Sequence, residues 1–509
     1  MQNDRANQRG LYSLILTLGF LAPAISFADD PKLETPAQQK APTAFAADKP
    51  KPVLTWGKDD GKSYLVPLAD IIGEEFLLNQ YDRHVIDHEV YGSNFSTAKH
   101  NITHKWVVDS DKFKINQFLH PYQGSIYQNL ARSAGLDFWD SMGYSLLGSA
   151  LWEIAGETDP ASINDQFTTG IGGAFLGEPL FRMSSLLLES GNGPPGFLRE
   201  LGAAFISPAT GFNRYAYGDR FDGVFRSNNP AVYTRIQLGA TLNQNVHSNV
   251  NLNTIPDGDA IAQTYKHREA SADFTMAYGL PGKQGYTYDR PFDYFHFQFT
   301  ATNNNAFENI LSRGLLYGTT YSAGDNYRGI WGLYGTYDYI SPQLFRVSTT
   351  AAGLGTTGQW WISKTVAVQG TALGAVGYGS SGVIRGTGDR DYHNGITPQG
   401  LLTSRFTFSD RASLDLEMRD YYVSRYGSSG TGGSENIKRA DIALTMRIYN
   451  LHGITVKYAW TARDAKYSEL NPNTHQSVGA ISIAYSYLGQ TRFGAVDWRP
   501  PSAGGPDPY

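Results

Sequence analysis

Phe295-His296-Phe297-Gln298-Phe299-Thr300-Ala301-Thr302 sets an apolar side chain at every second position and a polar one between. An extended chain sends alternate side chains to opposite faces, so this stretch reads as a strand with one apolar and one polar face. The same period recurs from about Tyr233 to Leu488. Ile236, Leu238, Ala240 and Leu242 oppose Arg235, Gln237, Gly239 and Thr241. Ile442, Leu444, Met446 and Ile448 oppose Asp441, Thr445 and Arg447, and Ile481, Ile483, Tyr485 and Tyr487 oppose Ala480, Ser482, Ala484 and Ser486. Gly, Asn, Asp and Ser gather at the breaks, where turns need them. The count comes to roughly 12 strands, an even number as single-chain bacterial barrels require. A soluble sandwich would turn its large residues inward and would not sustain such long, even strands. The expectation is a mainly β fold, an antiparallel transmembrane β-barrel over residues 216–488. Its apolar sets face lipid and its polar sets face the lumen, and residues 489–509 form a C-terminal tail.

The N-terminus supplies the address. Arg5 and Arg9 precede an apolar run from Leu11 to Leu21, and Ser26-Phe27-Ala28 offers small residues at a cleavage site. This reads as a secretory signal peptide over residues 1–28. The run is too short to cross about 30 Å of hydrocarbon, and no later segment reaches about 18 consecutive apolar residues, so no helical span is expected. Residues 29–55, rich in Pro, Lys, Ala and Gln, read as a flexible periplasmic linker.

Composition agrees and excludes little else. Among 509 residues, Gly is 55, Tyr 32, Phe 26 and Trp 9, which suits a barrel with aromatic girdles. Cys is 0, which removes disulfides and thiol chemistry. A net charge of −5 gives no support to a nucleic-acid partner. Nothing in the sequence calls for a cofactor. The implied partners are outer-membrane lipids and an unidentified small solute or lipid cargo.

Residues 56–215 differ from the barrel and read as an α-helical periplasmic or lumenal domain, plug-like in its relation to the barrel. Pro67 to Tyr81 shows helical spacing through Leu68, Ile71, Ile72, Phe76 and Leu77. Phe138 to Gly156 and Ser162 to Leu188 read as two further helices. Ser162 or Asn164 is placed to cap the second, and Pro179 should kink or split it. Gly170, Gly173, Gly177 and Ser184 form a narrow stripe on that helix. Ser145, Gly148, Ser149 and Gly156 offer a matching one, so the two are expected to make a tight hairpin. A third short helix is expected from Phe197 to Phe205.

Within this block stand, in order, Asp109-Ser110-Asp111, Asn116-Gln117-Phe118, His120-Pro121-Tyr122-Gln123-Gly124, Trp152-Glu153, Glu157, Ser162-Ile163-Asn164-Asp165 and Gly177-Glu178 with Arg182. Arg199-Glu200-Leu201-Gly202 and Gly211-Phe212-Asn213-Arg214 follow. Over about residues 60–215 the chain resembles a bacterial family catalogued as a domain of unknown function, number 3943. The resemblance implies export and association with the outer membrane, and no particular activity.

The charges of the block admit three readings. Glu153 and Glu157 are i, i+4, an arrangement that is unfavourable unless one is protonated or paired, and Glu178 and Arg182 have the spacing of an ion pair. With His120, Arg132, Asn164 and Asp165 they form either a structural network or a constriction along the lumen. A catalytic site for a lipid-modifying hydrolase would use His120 as base, Ser162 or Ser125 as nucleophile and Asp165 to orient the base; no G-x-S-x-G elbow accompanies it. His84 and His88, like His100 and His104, are i, i+4 pairs that suit a metal, but they lie in polar, loop-like sequence that favours surface histidines.

Overall fold

The computed structural model describes residues 53–498 except 57, 59, 110, 192, 249–267, 342–345, 383–388, 427–431 and 468–472, and omits the side chains of 243–248. The expected signal peptide, nearly all of the linker and tail residues 499–509 lie outside the described residues.

Twelve antiparallel strands close into a barrel. They are β1 Val232–Ser248, β2 Arg268–Tyr278, β3 Phe295–Thr302, β4 Asn309–Ala323, β5 Tyr327–Ile340, β6 Arg346–Trp361, β7 Val366–Gly382, β8 Tyr392–Phe408, β9 Ala412–Val423, β10 Gly433–Tyr449, β11 His452–Tyr467 and β12 Thr474–Leu488. Each pairs with its neighbour in sequence, and β1 closes on β12 with Leu238 opposite Tyr485 and Ala240 opposite Ile483. Four connections at one rim are short: 324–326, 362–365, 409–411 and 450–451. β1 starts and β12 ends at this rim, and the longer connection 279–294 also lies there. Most of the long loops lie at the other.

Burial tells the two faces apart. Leu238, Met418, Ile442, Val456 and Ile483 are exposed, while Gln237, Arg419, Thr445 and Arg463 are buried. Apolar sets therefore point outward and polar sets inward. Pairing carries the assignment round the barrel: Leu354 lies opposite Leu333, Gly335 opposite Gly314, Gly314 opposite Phe295 and Phe295 opposite Tyr278. Phe295, Phe297 and Tyr337 thus point outward as the sequence pattern requires. They are nevertheless buried, Phe295 and Tyr337 completely.

What buries them is the helical block. Among the described residues its α-helices longer than one turn are α1 Leu65–Tyr81, α2 Phe95–Thr103, α3 His120–Ser133, α4 Phe138–Leu151, α5 Gly173–Glu189, α6 Phe197–Ile206 and α7 Pro208–Tyr217. Phe113, Phe118, Phe138, Phe175 and Met183 share one apolar core with the outward Met276, Phe295, Phe297, Ile310 and Tyr337. Ser312 donates to the Phe175 carbonyl at 2.6 Å and Tyr337 to the Gln117 carbonyl at 2.6 Å. The contact runs from rim to rim. Arg182 reaches Asp293 beside the short turns, and the Phe113 N–H reaches the Asp389 carbonyl in a long loop. The expected plug is therefore corrected: the helices stand against the outer wall, outside the lumen. Large aromatics on the outward faces of β2–β5 need a partner surface, and the helices supply it.

The lumen is filled from within. Arg235 pairs across it with Asp415 at 3.1 Å and Arg419 with Asp338 at 2.8 Å, while Arg463 pairs with Glu435 on the neighbouring strand at 2.7 Å. Beyond β12 the chain turns back through left-handed residues Arg492, Phe493 and Gly494, and residues 494–496 enter the short-turn mouth. There Gln359 donates to the Val496 carbonyl at 2.6 Å, Trp361 to the same carbonyl at 2.9 Å, and Gln369 to the Gly494 carbonyl at 2.9 Å. Val496 returns its N–H to Gln359 Oε1 at 2.8 Å. A cavity of about 110 Å³ remains, lined among others by Arg235, His296, Arg313, Arg405, Glu417 and Lys457.

Candidate functional site

The singled-out polar residues of the block form two separate groups, one near each rim. The lower group is an ion-pair chain. Glu178 accepts Arg132 Nε at 2.7 Å and Arg182 Nε at 2.8 Å, and Arg182 continues to Asp293 at 2.9 Å and the Pro291 carbonyl at 2.6 Å. Helical spacing puts Glu178 and Arg182 on one face of α5, and α3 brings Arg132 against it. Arg132 also donates to the Leu136 carbonyl and lies over Phe181 and Phe225, its guanidinium 4.6 and 5.2 Å from the ring centres. Every polar arm of the chain is answered, and its last link belongs to the barrel.

The upper group gathers where three π-helical turns meet: Ile115–Leu119 before α3, Trp152–Gly156 after α4 and Gln166–Gly172 before α5. Such widened turns are frequent at functional sites. Glu153 Oε2 accepts the Ser162 N–H at 2.7 Å, and Glu157 Oε1 accepts the Trp152 indole N–H at 2.7 Å. Ser162 caps the one-turn helix Ile163–Asp165, accepting the Asp165 N–H at 3.2 Å and donating to Asn164 Oδ1 at 2.9 Å. Asn164 also accepts the Asp109 N–H at 2.7 Å, and Asp109 accepts Asn116 Nδ2 at 2.8 Å. Asn116 then donates to Tyr392 Oη on β8 at 2.9 Å. His120 is buried beside this network, where burial opposes its charged form and Asp165, Glu157, Asp109 and Asp111 favour it.

Two carboxyls in the connecting loops are perturbed. Burial pushes Glu157 up to about 7, against the opposing pull of His120 and the Trp152 indole. Burial, then the neighbouring Asp109, raises Asp111, while Arg390 at 2.8 Å and His120 hold it back. A carboxyl titrating near neutrality in a polar cluster marks a candidate site.

Set against expectation, the structure brings His120, Glu153, Glu157, Asn164 and Asp165 together and separates them from Arg132, Glu178 and Arg182. None of the eight lines the lumen, so the constriction reading of these residues is corrected. Among the described residues no hydrogen bond joins His120 to Ser162, Ser125 or Asp165, and Ser125 donates instead to the Tyr122 carbonyl at 2.6 Å. The histidine pairs do not converge. His84 binds the Gln80 carbonyl, while the His100 and His104 rings stack at 3.6 Å. No group of three or more His, Cys, Asp or Glu able to hold a metal occurs among the described residues. Sequence reasoning missed Asp293 and Tyr392, whose chain distances of 111 and 276 residues from their partners leave no local signal. Asp109 and Asn116 were in view as motif residues, without a role.

Residues 105–209 match the family described as Domain of unknown function (DUF3943). No curated protein sequence matches the chain. Similar solved structures include the NanC porin, at 8% identity over 49% of this chain and 98% of that one, with a TM-score of 0.26. The Pseudomonas putida toluene transporter TodX aligns at 10% identity over 52% and 90%, with a TM-score of 0.20. A loop-deletion variant of OmpT, an outer membrane protein of Vibrio cholerae, aligns at 9% over 50% and 98%, also at 0.20. Scores this low carry no argument, and the barrel stands on its own strand pairing.

Proposed function

We propose that the protein is an outer-membrane β-barrel whose lumen is a restricted path for a small polar solute, closed by its own C-terminal segment. Its place in the membrane is supported by the exposed apolar faces of β7–β12 and β1 and by aromatic residues near the short-turn rim. Trp331, Trp360, Phe408, Tyr449 and Tyr487 are all exposed there, as in the girdles of outer-membrane barrels. The expected signal peptide and the contrast of short turns with long loops point the same way, and make the short-turn rim periplasmic.

The observation that carries the functional reading is the grip of Gln359, Trp361 and Gln369 on residues 494–496. These three side chains point into the lumen from β6 and β7, so the tail segment seals one mouth of a tube lined by charges of both signs. Charged linings of this kind select solutes in pores. The closure rests on a handful of hydrogen bonds, each worth about 0.5–1.5 kcal/mol net, so it is a contact that a solute or partner can displace.

Single-channel conductance in planar bilayers tests this. The protein truncated after Leu488 is expected to pass larger and more frequent currents than the full chain. Silence from both, with the barrel shown folded by heat-modifiable gel mobility, would overturn the channel reading.

A further inference from the structure

The outward surface of the helical block is inverted relative to a water-soluble bundle. On α1 the exposed positions are Leu65, Ala69, Ile72, Gly73, Phe76 and Leu77, with Leu65 at 77%, Phe76 at 62% and Leu77 at 68%. Its acids turn the other way: Asp70 accepts the Tyr217 hydroxyl at 2.5 Å, and Glu74 and Glu75 each place a carboxyl oxygen out of solvent contact. On α6 and α7 the exposed residues include Phe197, Leu198, Leu201, Phe205 and Phe212. The charged pair of that hairpin, Arg214 and Glu200, closes beneath them at 2.7 Å. On α4 Ser141, Ser145 and Ser149 are buried while Leu147 is exposed. Soluble proteins rarely leave an apolar patch of this extent uncovered.

We propose that these faces lie against the acyl chains of the bilayer, so that the helical bundle sits at membrane depth beside the barrel it leans on. This rests on the reading of the barrel as a membrane protein, and three observations lead from there. First, the block covers the outward wall of β2–β5 from rim to rim, so a bilayer surrounding the barrel meets the block at the same depth. Second, the 17 residues of α1 rise about 25 Å, which matches the apolar band of about 25 Å on outer-membrane barrels. Third, the apolar helix faces continue the exposed belt of the strands, and exposed charges of the block gather at its two ends, Asp87, Glu89, Lys99 and His104 around α2 at the long-loop end and Asp137, Asp140 and Asp219 toward the short-turn end. Among the described residues no helix is long and apolar enough to cross a membrane alone. Each helix here needs only half its circumference to suit lipid, because the other half packs on polar partners in the bundle.

The absence of cysteine makes single-site spin labelling direct. Nitroxides are placed on the full chain at Phe76→Cys, Phe205→Cys, Ile483→Cys on the barrel belt, and Asp87→Cys. The variants are reconstituted in vesicles of phosphatidylethanolamine and phosphatidylglycerol. Relaxation by oxygen, which concentrates in acyl chains, is compared with relaxation by a water-soluble nickel chelate. Labels at 76 and 205 are expected to favour oxygen as strongly as the label at 483, at least several-fold over the label at 87. Nickel accessibility at 76 and 205 with an oxygen-favouring label at 483 overturns the inference and leaves the barrel reading standing. Nickel accessibility at 483 as well overturns both. Low access to either agent at 76 and 205, with spin–spin broadening, assigns the face to a second copy of the chain and also overturns the inference.

Discussion

Glu178→Gln keeps the shape of the side chain and removes the charge that holds the lower network together. Glu178 is 0% exposed, Arg132 4% and Arg182 1%, so the substitution leaves two cations out of water with Asp293 as their remaining carboxylate. Removing one partner of a buried pair costs about 3–5 kcal/mol. Two features pull the figure down. Arg182 keeps Asp293 at 2.9 Å, and the rings over Arg132 stabilise a cation by about 0.5–2 kcal/mol each. The expected loss is therefore about 3 kcal/mol, which multiplies the population of the block detached from the barrel wall roughly 100-fold. Limited proteolysis of the refolded protein reads that population when opening is fast compared with cleavage, and heat-modifiable mobility shows whether the barrel itself is intact. Asp410→Asn is the control: its partner Arg447 lies at 3.5 Å and Asp410, in a short barrel turn, is 55% exposed, so the cost should stay below about 1 kcal/mol. Cleavage of the Glu178→Gln block within about 3-fold of wild type, roughly 0.6 kcal/mol, would refute the reasoning that this network fastens the helices to the barrel.

Other perturbations follow from the same geometry. A Cβ at Gly173 would stand 2.6 Å from the Gly124 backbone, so Gly173→Ala should destabilise the block by about 1–3 kcal/mol in urea unfolding, whereas Gly143→Ala, with nothing within 4 Å, should not. Ser162→Ala should cost about 1 kcal/mol as a lost helix cap and leave phospholipid hydrolysis assays unchanged; loss of a measured turnover would revive the hydrolase reading. Glu157 is raised from 4.5 to about 7 by burial, so the fold favours its neutral form. Its contribution to stability is full below pH 4.5 and is lost as pH rises through about 7. The unfolding free energy of Glu157→Gln should lack that decline, and parallel pH curves for the two proteins would contradict it.

The strands were legible because period two survives in any sheet with unlike faces, and Phe295 to Thr302 lies where its alternation puts it. The destination of the apolar face was not legible, since Phe295 and Phe297 would be chosen alike for lipid or for a helix packed over them. The helix ends were read in part. Ser162 does cap its turn, but α5 runs through Pro179, with the irregular backbone upstream in a π-helical turn. Helices α2 and α7 were passed over, and α3 was not picked out at its full length. Asn94 opens α2 with a capping box: Asn94 accepts the Ser96 and Thr97 N–H groups and Thr97 accepts the Asn94 N–H. His120-Pro121, visible in the sequence only as part of a motif, opens the 14-residue α3. That omission misplaced the small-residue stripe. Gly173 and Gly177 meet Gly124 and Gln128 of α3, and Gly170 meets Leu146 of α4, so α3 takes most of the contact expected of a hairpin with α4.

The same ambiguity recurs one level up, in the helices. Leu65, Ile72 and Phe76 recur at helical spacing, and the period states that they share a face without stating what the face meets. In water that face would be the core. Here Ile71, on the opposite side of α1, packs with Tyr127 and Leu130, while the larger apolar set is left outward and the carboxyls turn in. A hydropathy average over such a helix mixes the two halves and hides the apolar face. It is the placement of Asp70, Glu200 and Arg214 on the inner side, each answered by a partner, that distinguishes a bundle built for lipid from one built for water. On the proposed reading the buried networks and the apolar exterior are one adaptation, because a helix whose outer face meets acyl chains must turn its polar groups inward or against the barrel wall.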